Sequence, residues 1–359
     1  MRTGQARNAW MTATALIVLL AACAAPPDVS RHSPRAAGPD VDASVIADAA
    51  ALEPAITAPP SAPDVDPVPG TRVIAAHVPD RADPGVVRTV GARTVVGDGT
   101  RGSCTASALA RAVSRGGTVT FACGGEARIV LPHPLELCAT VGCEPDGAPV
   151  RTLRLDGGDR TTLVGAGAAR LIEARGCAAS TGGCGPRPEP HVVLSRIGLE
   201  GGVAPDDPDD ALGYGGGAVA MVGGRLTLDR VTLAGNSCAG AAGSAGGAVL
   251  ARDMAAVTVR GTTVMGNSCG HGGGLAVVDA PLSVTGVTVV DNAAEVAGGG
   301  LLVVGGERPA EIAMTLMAGN TAPVGPAIDR AGAEVAIRDS RIEPGADGDD
   351  AIAVRALAD

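Results

Sequence analysis

The chain has 359 residues, 53 of them glycine, and only three aromatic side chains, Trp10, Phe121 and Tyr214. Its formal charge is -10 and every basic residue is arginine. That balance argues against nucleic acid as a partner, because phosphate binding needs clustered positive charge. A hydrophobic content of 46% excludes a wholly disordered chain, and the absence of a Gly-X-Y period excludes collagen.

Arg2 and Arg7 precede an apolar stretch from Met11 to Ala22, which Pro26-Pro27 ends. The stretch is short of the ~20 residues of a membrane span and reads as an export signal. It closes on Leu20-Ala21-Ala22-Cys23, a quartet that resembles the lipobox of bacterial lipoproteins. The resemblance implies cleavage after residue 22 and a lipid on Cys23, each buried CH₂ adding ~0.8 kcal/mol of anchoring. Cleavage nearby as an ordinary signal peptide is the alternative. Ala24, rather than Asp, follows the cysteine, as in outer-membrane sorting. The expected address is therefore the cell envelope, lipid-anchored in the outer membrane.

Residues 23–95 read as a disordered Pro/Ala/Asp-rich tether. Between Cys23 and Pro84 lie 12 of the chain's 26 prolines. Such a segment buries too little apolar surface to offset its ordering entropy, and its prolines stiffen it toward polyproline II.

Residues 96–359 read as one domain. Thr105 to Arg115 places Ala106, Leu109, Ala110 and Val113 on one face before Gly116-Gly117, which predicts a short helix with a glycine stop. Short alternating strands follow, at Thr118–Phe121, Leu153–Leu155, Thr162–Val164 and Val192–Leu194. From residue 216 the pattern repeats: Gly216-Gly217-Ala218-Val219, Gly246-Gly247-Ala248-Val249, Gly272-Gly273-Gly274-Leu275, Gly298-Gly299-Gly300-Leu301 and a degraded Gly325-Pro326-Ala327-Ile328. The last residues of these units step by 30, 26, 26 and 27. Four units close on Asn236, Asn267, Asn292 and Asn320, with an aliphatic residue three positions earlier. The glycines suit turns with positive φ, and asparagine at an equivalent turn tolerates left-handed backbone and can stack into an amide ladder.

A period of 26–30 residues with about three short strands each predicts an all-β, right-handed parallel β-helix. Stacked at ~4.8 Å, each coil pairs its backbone with the coils above and below and lines the interior with columns of like residues. The helix placed before the first coil would protect the open end. Gly102-Ser103-Cys104-Thr105 with Gly117-Thr118-Val119-Thr120-Phe121-Ala122-Cys123-Gly124 resembles the opening of pectate-lyase-like β-helix proteins of bacterial surfaces. The Gly-Gly-Ala-Val and aliphatic-x-x-Asn units are similar to the repeats of polymorphic outer-membrane proteins, with Leu, Val or Met in place of Phe. That resemblance implies the fold and leaves activity open, since such folds host lyases, hydrolases and adhesins. No barrel pattern follows the repeats, so the lipid is the expected anchor.

Eight cysteines remain besides Cys23. Spacing suggests Cys104–Cys123, Cys138–Cys143, Cys177–Cys184 and Cys238–Cys269, and an exported chain favours bridges. The last pair follows Asn-Ser in successive coils, one coil apart and within disulfide reach. A zinc site of Cys138, Cys143, Cys177 and Cys184 is the rival.

Few residues offer chemistry. Gly266-Asn267-Ser268-Cys269-Gly270 matches G-x-S-x-G, but a nucleophile elbow needs a strand-turn-helix context. Gly270-His271-Gly272 resembles the Gly-His-Gly of polygalacturonases, without that family's further acidic motifs at suitable distance; a turn residue is the simpler reading of His271. Asp253 and Asp279 occupy one position in successive coils, a spacing that suits a glycosidase pair or calcium, or simply solvated turn acids. Asp206, Asp207, Asp209 and Asp210 form an acidic loop that would suit weak calcium binding. The sequence thus predicts a non-catalytic, lipid-anchored rod without a cofactor, presented to surface proteins or polysaccharides. A carbohydrate-active lyase or hydrolase using Asp253, Asp279 and His271 is the alternative.

Overall fold

The stack is built by parallel pairing of successive repeats, seen in a computed structural model that describes residues 87–90, 93–138, 149–167, 169–176, 188–206, 215–239, 243–306, 308–345 and 350–355. The expected signal peptide, Cys23 and the tether up to residue 86 lie outside the described residues. Strand structure begins at Val87–Val90 and Arg93–Val96, ahead of the expected domain start at residue 96. These two strands pair antiparallel; every other strand pairing is parallel.

Three sheets run along the stack. The broad sheet has two legs, joined by the long strand His191–Glu200. One leg carries Arg225–Asp229, Ala256–Arg260, Leu282–Thr285, Ala310–Ala313 and Val335–Arg338. The other carries Thr232–Ala234, Thr263–Met265, Thr288–Val290, Leu316–Ala318 and Arg341–Ile342. A second sheet stacks Leu135–Cys138 through Val219–Val222 to Ile352–Arg355, and a short third sheet ends at Ala293–Ala297. The predicted register holds residue by residue: Val219 pairs with Val249, Val249 with Leu275, Leu275 with Leu301 and Leu301 with Ile328.

Alternation along each strand explains the core. Leu226 and Leu228 point in while Arg225 and Asp229 point out, and Val257, Val259, Val284 and Ile312 continue the inward columns, all buried. A single coil cannot bury these side chains; its neighbours above and below do so. The helix is Ala106–Val113, shorter than the Thr105–Arg115 span, because Thr105 is its N-cap and accepts from the Ala108 N–H. Ala108, Leu109, Ala112 and Val113 are buried in the same core.

Each repeat turns at corners with left-handed backbone, and these corners stack. One column is Gly216, Gly246, Gly272, Gly298 and Gly325; another is Gly223, Asp253, Asp279, Gly305 and Gly332. A third, at the bend of the broad sheet, contains Arg196, Arg230, Gly261, Gly286, Met314 and Asp339. At the fourth, the left-handed residues are Gly235, Gly266, Asp291 and Gly319, each immediately before a repeat asparagine. This corrects the role expected of the asparagines. They do not supply the positive φ; they sit inside the corner, 4% exposed or less, where their amides bond backbone groups that the turn leaves unpaired.

The amide ladder forms. Asn236 Nδ2 donates to Asn267 Oδ1 at 3.0 Å, Asn267 Nδ2 to Asn292 Oδ1 at 2.8 Å and Asn292 Nδ2 to Asn320 Oδ1 at 2.9 Å. Each Nδ2 also donates to a carbonyl of the preceding coil, those of Leu199, Leu233, Val264 and Val289.

Candidate functional site

The bend between the two legs of the broad sheet carries a surface groove of about 360 Å³. Asp159, Arg196 and Arg230 turn there with φ of 60°, 49° and 56°. Ala127–Leu131 pairs with Thr152–Gly165, which in turn pairs with His191–Glu200, so Arg128, Arg160 and Glu200 reach the same groove. Charges of both signs therefore converge on one surface from four segments of chain.

Most of these charges are engaged with one another. Arg196 embraces Asp156 through Nε, at 2.9 Å from Oδ1, and through Nη2 on Oδ2. Arg128 Nη2 lies 2.6 Å from Glu200 Oε2. Arg230, in the groove, and Arg260, beside it, approach Asp229 Oδ1 at 3.6 and 3.3 Å. The side chains of Asp159 and Arg160 make no hydrogen bond or ion pair among the described residues.

Burial pushes the Asp156 carboxyl up, but the hydrogen bonds from Arg196 and the Gly158 N–H, with the charges of Arg196 and Arg230, hold it below its ordinary value. The same pair raises Arg196, first through the Asp156 hydrogen bond and then through its charge. Outside the groove, Asp98 is also lowered, chiefly by the Thr100 hydroxyl at 2.6 Å. A general acid working near neutral pH needs the opposite shift. His191, whose Nε2 lies 3.2 Å from Thr227 Oγ1, is lowered by burial and then by Arg225 and Arg154.

The residues singled out from sequence are spread along the stack. Asp253 and Asp279 are neighbours at one left-handed corner, with φ of 52° and 50°. Each donates its backbone N–H into the next coil, to Val278 O and Val304 O. The Asp279 carboxylate lies over Gly305, where a Cβ would overlap Oδ1. His271 differs from its expected place in a turn: it ends the strand Ser268–His271, its N–H donating to Ser244 O and its carbonyl accepting from Gly246, each at 2.8 Å. Only then does the chain turn, at Gly272. The G-x-S-x-G sequence starts at the Gly266 corner and runs into that strand, with no helix following. Asp206 is exposed; Asp207, Asp209 and Asp210 lie outside the described residues. Among the described residues no three His, Cys, Asp or Glu side chains converge as a metal site.

Among the described residues two disulfides are present: Cys104–Cys123, with Cα atoms 5.4 Å apart, and Cys238–Cys269, at 5.0 Å. The second joins successive coils of the third sheet. Cys143, Cys177 and Cys184 lie outside the described residues, and with them the pairings Cys138–Cys143 and Cys177–Cys184.

The groove was not visible in the sequence. Its one hint is an Asp-Arg dipeptide, inside the long strand Thr152–Gly165 at Asp159-Arg160 and at the end of Arg225–Asp229 at Asp229-Arg230. The chain matches no family model, no curated protein and no solved structure.

Proposed function

We propose that this chain is a cell-envelope lipoprotein. A signal peptide ends at residue 22, Cys23 carries the lipid, and residues up to 86 tether a right-handed parallel β-helix that starts with the strands Val87–Val90 and Arg93–Val96 and is capped by the helix 106–113. The rod resembles pectate-lyase-like surface proteins, with repeats similar to those of polymorphic outer-membrane proteins. It works without catalysis, as a rigid surface offered to surface proteins or polysaccharides. The observation that supports this reading is the state of the groove charges: Arg196 with Asp156, and Arg128 with Glu200, are spent on each other rather than poised for proton transfer. The two disulfides also suit an oxidising compartment.

Membrane fractionation with mass analysis of the mature N-terminal peptide tests the address. The full chain is expected in the outer membrane with a lipidated Cys23, and Cys23→Ala is expected unprocessed or soluble. Unchanged fractionation of Cys23→Ala refutes the anchor. Incubation with polyuronides and neutral glycans, with and without calcium, tests the role. Retention on a glycan or surface-protein array without new reducing ends or unsaturated products supports it; product formation assigns the chain to the carbohydrate-active enzymes instead.

A further inference from the structure

The two ends of the stack are finished differently. At the first strands, the hairpin 87–96 and the helix 106–113 cover the core. At the other end, the strand Val335–Arg338 pairs with Ala310–Ala313, and no described strand lies on its far side. The inward column loses its cover there. Ile312 is 0% exposed, whereas its partner Ile337 is half-buried, as are Val335 and Ile342.

The backbone of this edge strand is half used. Ala310 N–H donates to Glu334 O at 2.8 Å, and Met314 N–H to Arg338 O at 3.1 Å. Backbone groups of successive residues in a strand point to opposite sides. With 334, 336 and 338 turned toward the preceding coil, the N–H and C=O of Val335 and Ile337 face the side on which no described strand lies. Such an edge templates further pairing unless it is blocked. Proline and lysine, common blockers, are absent from 334–338.

The sequence of the strand is its own antiparallel complement. Glu334-Val335-Ala336-Ile337-Arg338, laid against a second copy about a two-fold axis at Ala336, sets Val335 opposite Ile337 and Glu334 opposite Arg338. The free backbone groups then fall in register: Val335 and Ile337 form the hydrogen-bonded pairs, and Ala336 faces Ala336 in a non-hydrogen-bonded pair. Side chains agree with the backbone. Val335 and Ile337 lie on the core side and would continue the core into the partner, while Glu334, Ala336 and Arg338 are exposed. Two Glu–Arg pairs would close across the axis; a parallel arrangement would set like charges together. Arg338 already lies 3.6 Å from Glu311, with both side chains largely exposed, an arrangement loose enough to share.

We propose that this open edge is an interface with a second copy of the chain: two stacks join tail to tail through antiparallel pairing of residues 334–338. The inference is independent of the lipid anchor and of any glycan. It predicts that Ala336 of two copies lie ~4.5 Å apart, Cα to Cα, within disulfide reach. The test uses the full chain carrying Ala336→Cys, with Ser283→Cys as the control, since Ser283 lies in the same outward column two strands earlier. Under mild oxidation, Ala336→Cys is expected to run at twice the mass on non-reducing gels, and Ser283→Cys at the mass of one chain. Glu334→Arg or Arg338→Glu alone should cut the cross-linked yield several-fold, and the two together should restore it, with melting curves reporting that each variant is folded. Cross-linking of Ala336→Cys no better than Ser283→Cys overturns the proposal. So do charge reversals that leave the yield of a folded chain unchanged.

Discussion

Asn267 reaches Asn292 twice: its side-chain Nδ2 and its backbone N–H both donate to Asn292 Oδ1, at 2.8 and 3.0 Å. One buried oxygen thus fixes both the corner and the side chain of the coil before it. Asn267→Ala strands the N–H of Asn236 and the carbonyl of Leu233, both of which it bonds at 2.9 and 3.1 Å. With each orphaned group costing ~1–3 kcal/mol, a loss of about 2–5 kcal/mol is expected in chemical denaturation. Asn320→Ala strands the matching pair, the N–H of Asn292 and the carbonyl of Val289, and should cost about as much.

The bridge between coils is a second test. Cys238 and Cys269 are 31 residues apart in sequence and 5.0 Å apart at Cα. Replacing both by serine should lower stability by roughly 3–4 kcal/mol on the chain-entropy argument. Non-reducing peptide mapping should recover the two peptides joined; free thiols at both positions would contradict the register.

At the Asp279–Gly305 corner, φ at Gly305 is 61° and a Cβ would meet the Asp279 carboxylate. Gly305→Ala is expected to cost ~1–2 kcal/mol for the left-handed backbone, and more from the overlap. Asp279→Gly alone should be nearly neutral. The double variant should recover the overlap portion only, a non-additivity that a double-mutant cycle in urea measures.

Acid sensitivity follows from Asp156. Its folded-state pKa lies below the ordinary 3.8, so the unfolded chain takes up the proton first as pH falls. The Arg196 pairing therefore stabilises fully above about pH 5 and is lost as pH falls through the folded value. Asp156→Asn should flatten the denaturation midpoint between pH 5 and 2. The difference should stay within ~1 kcal/mol, because the pair is partly exposed.

Repeat, strand and register were legible because the stack reuses one solution at each level. Val219, Val249, Leu275 and Leu301 follow glycine signatures that no other local structure needs, and Leu233, Val264 and Val289 keep their distance from asparagine. Of the two geometries expected of the asparagines, the amide ladder forms and the left-handed backbone does not. Left-handed backbone and buried amide ladders both favour Asn, and only coordinates separate them. The corner of Arg196, Arg230, Gly261, Gly286, Met314 and Asp339 left little mark in the sequence, since it mixes Arg, Gly, Met and Asp. The groove depends on that corner, and on Arg128 and Arg230 meeting across a hundred residues of unequal coils. No local pattern records such a meeting.

Neighbouring asparagines of the ladder are separated by 31, 25 and 28 residues, yet their amides remain in bonding contact throughout. The stack therefore meters angle and leaves contour length free. Surplus chain leaves at two seams. Between the third sheet and the second, Val203–Ala204 and Ser237–Cys238 are followed by long connections before Val219 and Val249, whereas Ser268–His271 and Ala293–Ala297 run almost directly into Leu275 and Leu301. Between the second sheet and the broad one, the connections from Cys138 to Thr152 and from Arg175 to His191 are long, whereas those from Arg252 to Ala256 and from Val278 to Leu282 are short. Insertions at these seams leave the strand register of the stack unchanged. One end of the structure is thus open to variation in sequence length, and the other is held close to the minimum that a coil requires.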